Sequence, residues 1–420
     1  MVRAYLSNFQ QLSSNVKFFL LGNAIQGMGL SIYGLLFNLY LKELGYGETT
    51  IGSLISTSSL GIALMAIPAA LIIERFHVKP LVVTGMLLSS GFYFIQVLNT
   101  DQSALFTFGL LASMFQALYN ISVSPFYLRN STREMRVHLF TLNSSLNIGA
   151  HMVGFLIGGY LPEMVRATTP DSSKIEIYRI SLMVALSIVF LSNFLFLQIK
   201  RVPIPRLKKP LFEGLREKDW SVLSKLIIPK LCFAFGGGMA VPFINIYLKT
   251  QFQLSTKMIG VAYALLQFFI FIGIFVTPAI MKHTSQLRFI LITSVLAVPF
   301  MLGLGLSENV GIVLSCFFMR GMLMNMGSPI SSIFEMEHVR EKDCVFASAI
   351  ILFFYHLVYT FSTRLGGQLI ETYSFGPTFF VGAAFYAAAV VLYYRFFKNE
   401  EKDKERKLVV VDPAAIPEAA

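Results

Sequence analysis

Charge is what this sequence has least of. It holds 34 Lys and Arg and 23 Asp and Glu, so charged residues make up 14% of its 420 positions, against about 25% in typical soluble domains. A soluble fold of this length needs polar surface that the chain lacks, which excludes a soluble enzyme and a disordered chain together. Cysteine is nearly absent. Cys232, Cys316 and Cys344 are odd in number and lack metal-ligand spacing, so they exclude a disulfide scaffold and read as free thiols. There is no phosphate-cradling glycine loop, no HExxH and no discernible Ser/His/Asp constellation. No catalysis, direct use of ATP, metal or other cofactor is therefore expected. Apolar residues fill the gap: 55% of the chain is hydrophobic, 40 residues are Phe and the mean hydropathy is +0.66.

A membrane-crossing helix takes roughly 17–25 mostly apolar residues. Twelve such runs are present, at about 18–41, 51–73, 80–98, 104–127, 137–162, 179–199, 226–249, 258–281, 289–306, 310–333, 345–370 and 376–397. The first run is too long for a signal peptide and no small-residue cleavage site follows it. Cations then orient the chain. With the N-terminus inside, 25 Lys and Arg fall on cytoplasmic segments and 6 on outside loops, and Lys230, Arg320 and Arg364 lie within spans. This positive-inside bias places both termini in the cytoplasm of a cell-membrane protein. The net charge of +11 thereby reads as topology and attraction to anionic lipid headgroups, and nucleic acid is not expected as a partner.

The chain also repeats itself. Asn38-Leu39-Tyr40-Leu41-Lys42 returns as Asn245-Ile246-Tyr247-Leu248-Lys249, and Thr50-Ile51-Gly52 as Met258-Ile259-Gly260. Ser124-Pro125 answers Ser328-Pro329, Arg133-Glu134 answers Arg340-Glu341, and Gly158-Gly159 answers Gly366-Gly367. Five collinear matches at offsets between 204 and 208 describe two six-span halves of the same orientation. The expected organisation is a cytoplasmic N-terminus (1–17), a first bundle (18–199), a central loop (200–225), a second bundle (226–398) and a disordered tail (399–420). Within the loop, Leu211–Lys225 has the pattern of an interfacial helix carrying the single Trp220.

Two parallel six-span halves joined by a basic loop resemble the major facilitator superfamily of secondary transporters, over about residues 15–398. The family's loop motif G-x-x-x-D-R-x-G-R-K meets Ala70-x-x-x-Glu74-Arg75-x-His77-Val78-Lys79 here, with acid, base and last Lys kept and both glycines lost. Gly154-Phe155-x-x-Gly158-Gly159 is similar to the antiporter motif G-P-x-x-G-G, with Phe in place of Pro. The resemblance implies an all-α, integral-membrane fold of twelve transmembrane helices and alternating access about a midplane site. It also implies a cytoplasmic gate at Glu74, Arg75, Arg133 and Arg340, against which stands an ordinary role as solvated loop charges.

Polar residues inside spans are costly and face a bundle interior or a wet cavity. Span one gathers Asn23, Gln26, Gly27, Ser31, Gly34 and Asn38 within an arc of about 140°. Span five gathers Asn143, Asn147, His151, Gly154 and Gly158 within about 80°, and span four aligns Gln116, Asn120 and Ser124. For Asn23, Asn38, Asn143 and the glycines, helix packing is the plainer reading.

Arg320 differs from these. It sits mid-span, where insertion of an Arg costs at least ~2.5–3.5 kcal/mol, and the repeat puts Gln116 at its counterpart. No acid lies deep in any span, and Glu335 is about four turns away. The expected substrate-contacting set is Arg320, Gln116, Asn120, Gln26, Asn147, Gln267 and Arg364, with snorkelling as the other reading of Arg364. His151 and His356 are the groups within spans that titrate near neutral pH, and so the candidates for proton coupling; another ion or plain facilitation would do without them. The sequence therefore predicts a monomeric, multi-pass transporter in the lipid bilayer that moves a small-molecule substrate, an anionic or zwitterionic organic solute. An exporter of drugs or amphipathic compounds is the alternative, and a non-transporting receptor is the reading from another class.

Overall fold

The computed structural model describes residues 12–131, 133–200, 219–340 and 343–410. Twelve of its helices or helix pairs are long and apolar enough to cross a membrane. In chain order they are α1 (Ser14–Glu43), α2 (Glu48–Arg75), α3 (Val78–Leu98), α4 (Gln102–Arg129), α5 (Arg133–Thr168) and α6 (Lys174–Leu197). The second half continues with α7 (Trp220–Ala240), α8 (Ile244–Thr250), α9 (Thr256–Met281), α10 (Gln286–Leu306), α11 (Val310–Met326), α12 (Ser328–Glu337), α13 (Cys344–Tyr373) and α14 (Gly376–Val410). Two crossings are broken. A 3-10 turn at Val241–Phe243, carrying Pro242, divides α7 from α8, and Gly327 divides α11 from α12 just before Pro329. Proline removes a helical N–H and crowds the preceding turn, which accounts for both interruptions.

Local chemistry sets the helix starts. Ser13, Asp101, Asp219, Ser255, Ser285 and Asn309 each accept a bond from the first turn of their own helix. Ser173 and Glu176 form a reciprocal capping box on α6. Such side chains satisfy N–H groups that no helical carbonyl can reach. Two boundaries differ from expectation. The helix expected at Leu211–Lys225 is, from Trp220 on, the first turn and a half of α7, and 211–218 lie outside the described residues. The segment from 399 onward, expected to be disordered, is helical to Val410, and 411–420 lie outside the described residues. Each stretch adjoins a strongly apolar span, one before it and one after it, whose helical backbone bonds extend past the apolar run.

Because an even number of spans separates them, the start of α1 and the end of α14 share one face, called here the terminal face, with the far face opposite. The halves meet along three seams: α2 on α13, α5 on α9, and the end of α1 on α8. At the far face these seams close by direct backbone approach. A Cβ on Gly260 would stand 2.5 Å from Gly159 Cα, and one on Gly367 would stand 3.2 Å from Gly52 Cα. The two pairs exchange under the repeat, since Gly52 corresponds to Gly260 and Gly159 to Gly367. Small residues let membrane helices approach at this range.

Candidate functional site

Asn38 and Asn245, matched by the repeat, seal the far end of the α1–α8 seam. Asn38 Nδ2 donates to Pro242 O at 2.9 Å and to Asn245 Oδ1 at 3.3 Å, while Asn245 Nδ2 donates to Leu35 O at 3.0 Å. Each amide thus reaches a carbonyl of the other half, in a pseudo-twofold exchange. One turn back toward the terminal face, Gly34 has nothing within 4 Å of a Cβ position, and Gly149 on α5 is equally open. Asn120 and Ser124 on α4, Ser144 and Ser145 on α5, Asn325 on α11 and Ser328 on α12 are exposed. Exposed polar side chains within spans belong against water rather than lipid. They mark a wet space between the halves, closed at the far face and open toward the termini.

Arg320 lies in the second half beside this space. It is 8% exposed, donates through Nη2 to the Tyr386 hydroxyl of α14, and sets its guanidinium 5.5 Å from the centre of the Tyr386 ring. Its Nε is buried without a hydrogen-bond partner. Tyr355 and Tyr359 of α13 stand close enough to feel its charge. No carboxylate among the described residues pairs with it. Glu335, the first acid after it along the chain, is taken by Lys230 of α7 at 2.6 Å and by Ser331 at 2.8 Å. Glycines of α7 make room for Tyr386: a Cβ on Gly236 would stand 2.9 Å from its ring and one on Gly237 3.4 Å from its hydroxyl.

The first half is knit differently. Gln116, the repeat counterpart of Arg320, is buried and bonded, donating to Asn120 Oδ1 at 3.2 Å and accepting from Ser89 at 3.2 Å. Asn143 Oδ1 accepts from Asn23 at 2.7 Å, Tyr127 at 2.7 Å and Asn147 at 3.0 Å, and Tyr119 donates to Asn23 Oδ1 at 2.6 Å. This network ties α1, α4 and α5 together, in accord with the packing reading of Asn23 and Asn143. Gln26 is 2% exposed and its Oε1 is buried with no partner.

His151 and Asn147 pack on α1 at Gly27, where a Cβ would stand 3.3 Å from His151 Nε2 and 3.2 Å from Asn147 Oδ1. His356 lies in the α2–α13 seam, its Nδ1 2.9 Å from Ser59 Oγ. His151 thus lies at a contact within the first half, and His356 in a seam between the halves. Gln267 is half-buried on α9, one turn from Tyr263, whose ring packs 5.1 Å from Phe155 across the halves. Arg364 sits apart from Arg320, on an exposed face of α13 with Phe361 and Leu365. Arg340 pairs with Asp343 of its own half at 2.8 Å. The side chains of Glu74, Arg75 and Arg133 lie outside the described residues. Gly154, of the antiporter-like motif, carries the approach of α5 to α1, where a Cβ would run into Met28 O. Sequence reasoning did not reach Tyr386, the Lys230–Glu335 pair or Glu371. Lys230 was legible as a cation within a span, but nothing in the chain ties it to an acid 105 positions later.

Twelve crossings in two halves, meeting about a polar space shut at one face, define a multi-pass membrane carrier. The chain belongs to the Major Facilitator Superfamily, whose family model matches residues 19–361. That membership points to membrane transport of the secondary type rather than to catalysis. No curated protein matches the chain in sequence. Among solved structures it is similar to a bacterial homolog of the human lysosomal transporter Spinster in an inward-facing, unoccupied conformation (TM-score 0.74, 12% identity, 93% of this chain and 97% of that one). It is also similar to the nucleoside transporter NupG (TM-score 0.73, 13% identity, 91% and 100%) and to a D-xylose-proton symporter (TM-score 0.69, 13% identity, 91% and 97%). At these identities the likeness is one of fold.

Proposed function

We propose that this protein moves a small anionic or zwitterionic organic solute by alternating access, with Arg320 as the anchor for the solute's carboxylate or phosphate. The observation that carries this reading is a guanidinium 8% exposed in mid-span whose Nε has no partner and which pairs with no acid among the described residues. A buried cation without its counter-ion is destabilising, and a bound anion supplies that counter-ion through charge-assisted bonds. Gln116, Asn120, Gln26, Asn147 and Gln267 supply neutral hydrogen bonds from the first half and from α9. Arg364 acts at the far-face surface.

With both termini cytoplasmic, the open end faces the cytoplasm, and the similar Spinster homolog is described as inward-facing. Closing that end brings Glu74, Arg75 and Arg133 of the first half towards Arg340 of the second as the gate, and the protein works as a monomer. His151 and His356 are the groups offered for a coupling proton. A second reading, export of amphipathic compounds, draws on Tyr355, Tyr359 and Tyr386 around the guanidinium, which suit a ligand that is both apolar and anionic.

The test is a thermal-shift screen of the purified protein against organic anions, zwitterions and neutral amphiphiles. The proposal expects anionic hits whose affinity falls about 10- to 100-fold in Arg320→Gln, the worth of one charged hydrogen-bond site. Unchanged affinity in that variant would remove Arg320 from the site.

A further inference from the structure

One helix start in this fold is capped from the wrong half. Helix α2 opens at Glu48 behind Gly47, which has extended backbone and no side chain with which to cap. The bond that an N-cap side chain would make comes instead from α13. Thr49 N, two residues past the cap position, donates to Glu371 Oε2 at 2.8 Å, across 322 positions of chain and across the seam between halves. Gly47 is the space this contact needs. A Cβ there would stand 2.6 and 2.8 Å from the two carboxylate oxygens and 2.9 Å from the carboxyl carbon. Lys42, paired with Glu48 at 2.6 Å, adds positive charge beside the carboxylate.

The repeat provides an internal comparison. At the offset of 208 that matches Gly52 to Gly260, Gly47 corresponds to Ser255 and Glu371 to Glu163. Ser255 caps its own helix, accepting from Met258 N at 3.2 Å. Glu163 is exposed and makes no hydrogen bond to the start of α9 among the described residues. The same architectural position is therefore capped locally in one half and across the seam in the other. A local cap is indifferent to how the halves sit. A cap supplied by the opposite half exists only while the far face is closed.

We infer that Glu371 and Gly47 form a conformational latch: the carboxylate caps α2 only in the far-closed state and biases the carrier toward it. Opening the far face pulls α13 from α2 and leaves the first N–H groups of α2 to water. The latch rests on the alternating-access reading of the halves, and not on Arg320 or on any substrate. Losing an N-cap side chain typically costs helix stability on the order of one tenfold step in an equilibrium. Glu371→Ala is accordingly expected to lower the ratio of far-closed to far-open molecules about tenfold.

The test uses the full chain in lipid nanodiscs with Cys232, Cys316 and Cys344 replaced by Ser. Spin labels are placed at Gln102→Cys and Glu308→Cys, exposed far-face positions on opposite halves. Double electron–electron resonance then reads the distance between halves with no solute present, so a failed transport assay and a failed latch remain distinguishable. The expected result is a longer-distance population that grows in Glu371→Ala and grows less in Glu371→Gln, which keeps an acceptor oxygen without the charge. Adding Gly47→Ser to Glu371→Ala restores a local cap, and should recover melting temperature while the longer-distance population persists. Distance distributions unchanged in both Glu371 variants would overturn the latch. So would a return to the closed distance on adding Gly47→Ser, since capping of α2 would then matter wherever it came from.

Discussion

Two charges below the membrane surface show how the side-chain environment decides between structure and function. Lys230 and Glu335 stand 2.6 Å apart with side chains 24% and 4% exposed, and each accounts for the other. Lys230→Met should leave Glu335 buried and uncompensated, at a cost of about 3–5 kcal/mol. Lys230→Met with Glu335→Met should recover most of that, as read by thermal unfolding in detergent. Arg320 has a tyrosine hydroxyl in place of an acid. Tyr386→Phe removes that acceptor and leaves the ring, so ligand affinity should change by less than tenfold while Arg320→Gln weakens it more. For the histidines, flux in proteoliposomes that ignores both pH and the His151→Gln and His356→Gln variants would end their role as proton carriers. Among these residues Arg320 was legible because a mid-span Arg has few cheap explanations. Its tyrosines were not, since 17 Tyr and 40 Phe spread along the chain give no sign of which ring will stand beside it.

Helices carry the closure. At the α5–α9 crossing, Gly159 and Gly260 put backbone against backbone, with Phe155 O 2.6 Å from a Cβ placed on Gly260. Gly260→Val should force this crossing apart, costing about 1–3 kcal/mol as overpacking does. It should lower the melting temperature and raise labelling by a membrane-impermeant maleimide of a cysteine placed at Tyr263. Asn38→Ala removes one arm of the far-face clasp and leaves Asn245 with its own bond to Leu35 O, so a smaller effect of the same sign is expected. At this scale the sequence was most informative. Apolar run length sets a membrane span almost by itself, and the repeat had already singled out Asn38, Asn245, Gly52, Gly159, Gly260 and Gly367. What it could not reveal was their pairing across the halves, because a contact between distant helices leaves no periodic trace. The breaks before Ile244 and Ser328 were hidden for another reason, since Pro242 and Pro329 look no different in the sequence from Pro68, Pro125 and Pro299, which lie inside continuous helices.

The whole molecule is two similar bundles that differ where it matters. Gln116 faces Arg320 in the repeat, one a satisfied amide and the other a guanidinium with a free N–H. The far face is closed by pseudo-symmetric asparagines and glycines, and the space behind them opens toward the termini. As a member of a family of secondary transporters, a carrier built this way moves solute across the bilayer. The most direct measurement is solute counterflow. Proteoliposomes are loaded with an unlabelled anionic hit from the thermal-shift screen and diluted into a trace of the same solute carrying a radiolabel. The account predicts transient accumulation of label above its external concentration, dependent on the internal load and lost or strongly reduced in Arg320→Gln. Binding of the solute with no counterflow in wild-type vesicles would contradict it.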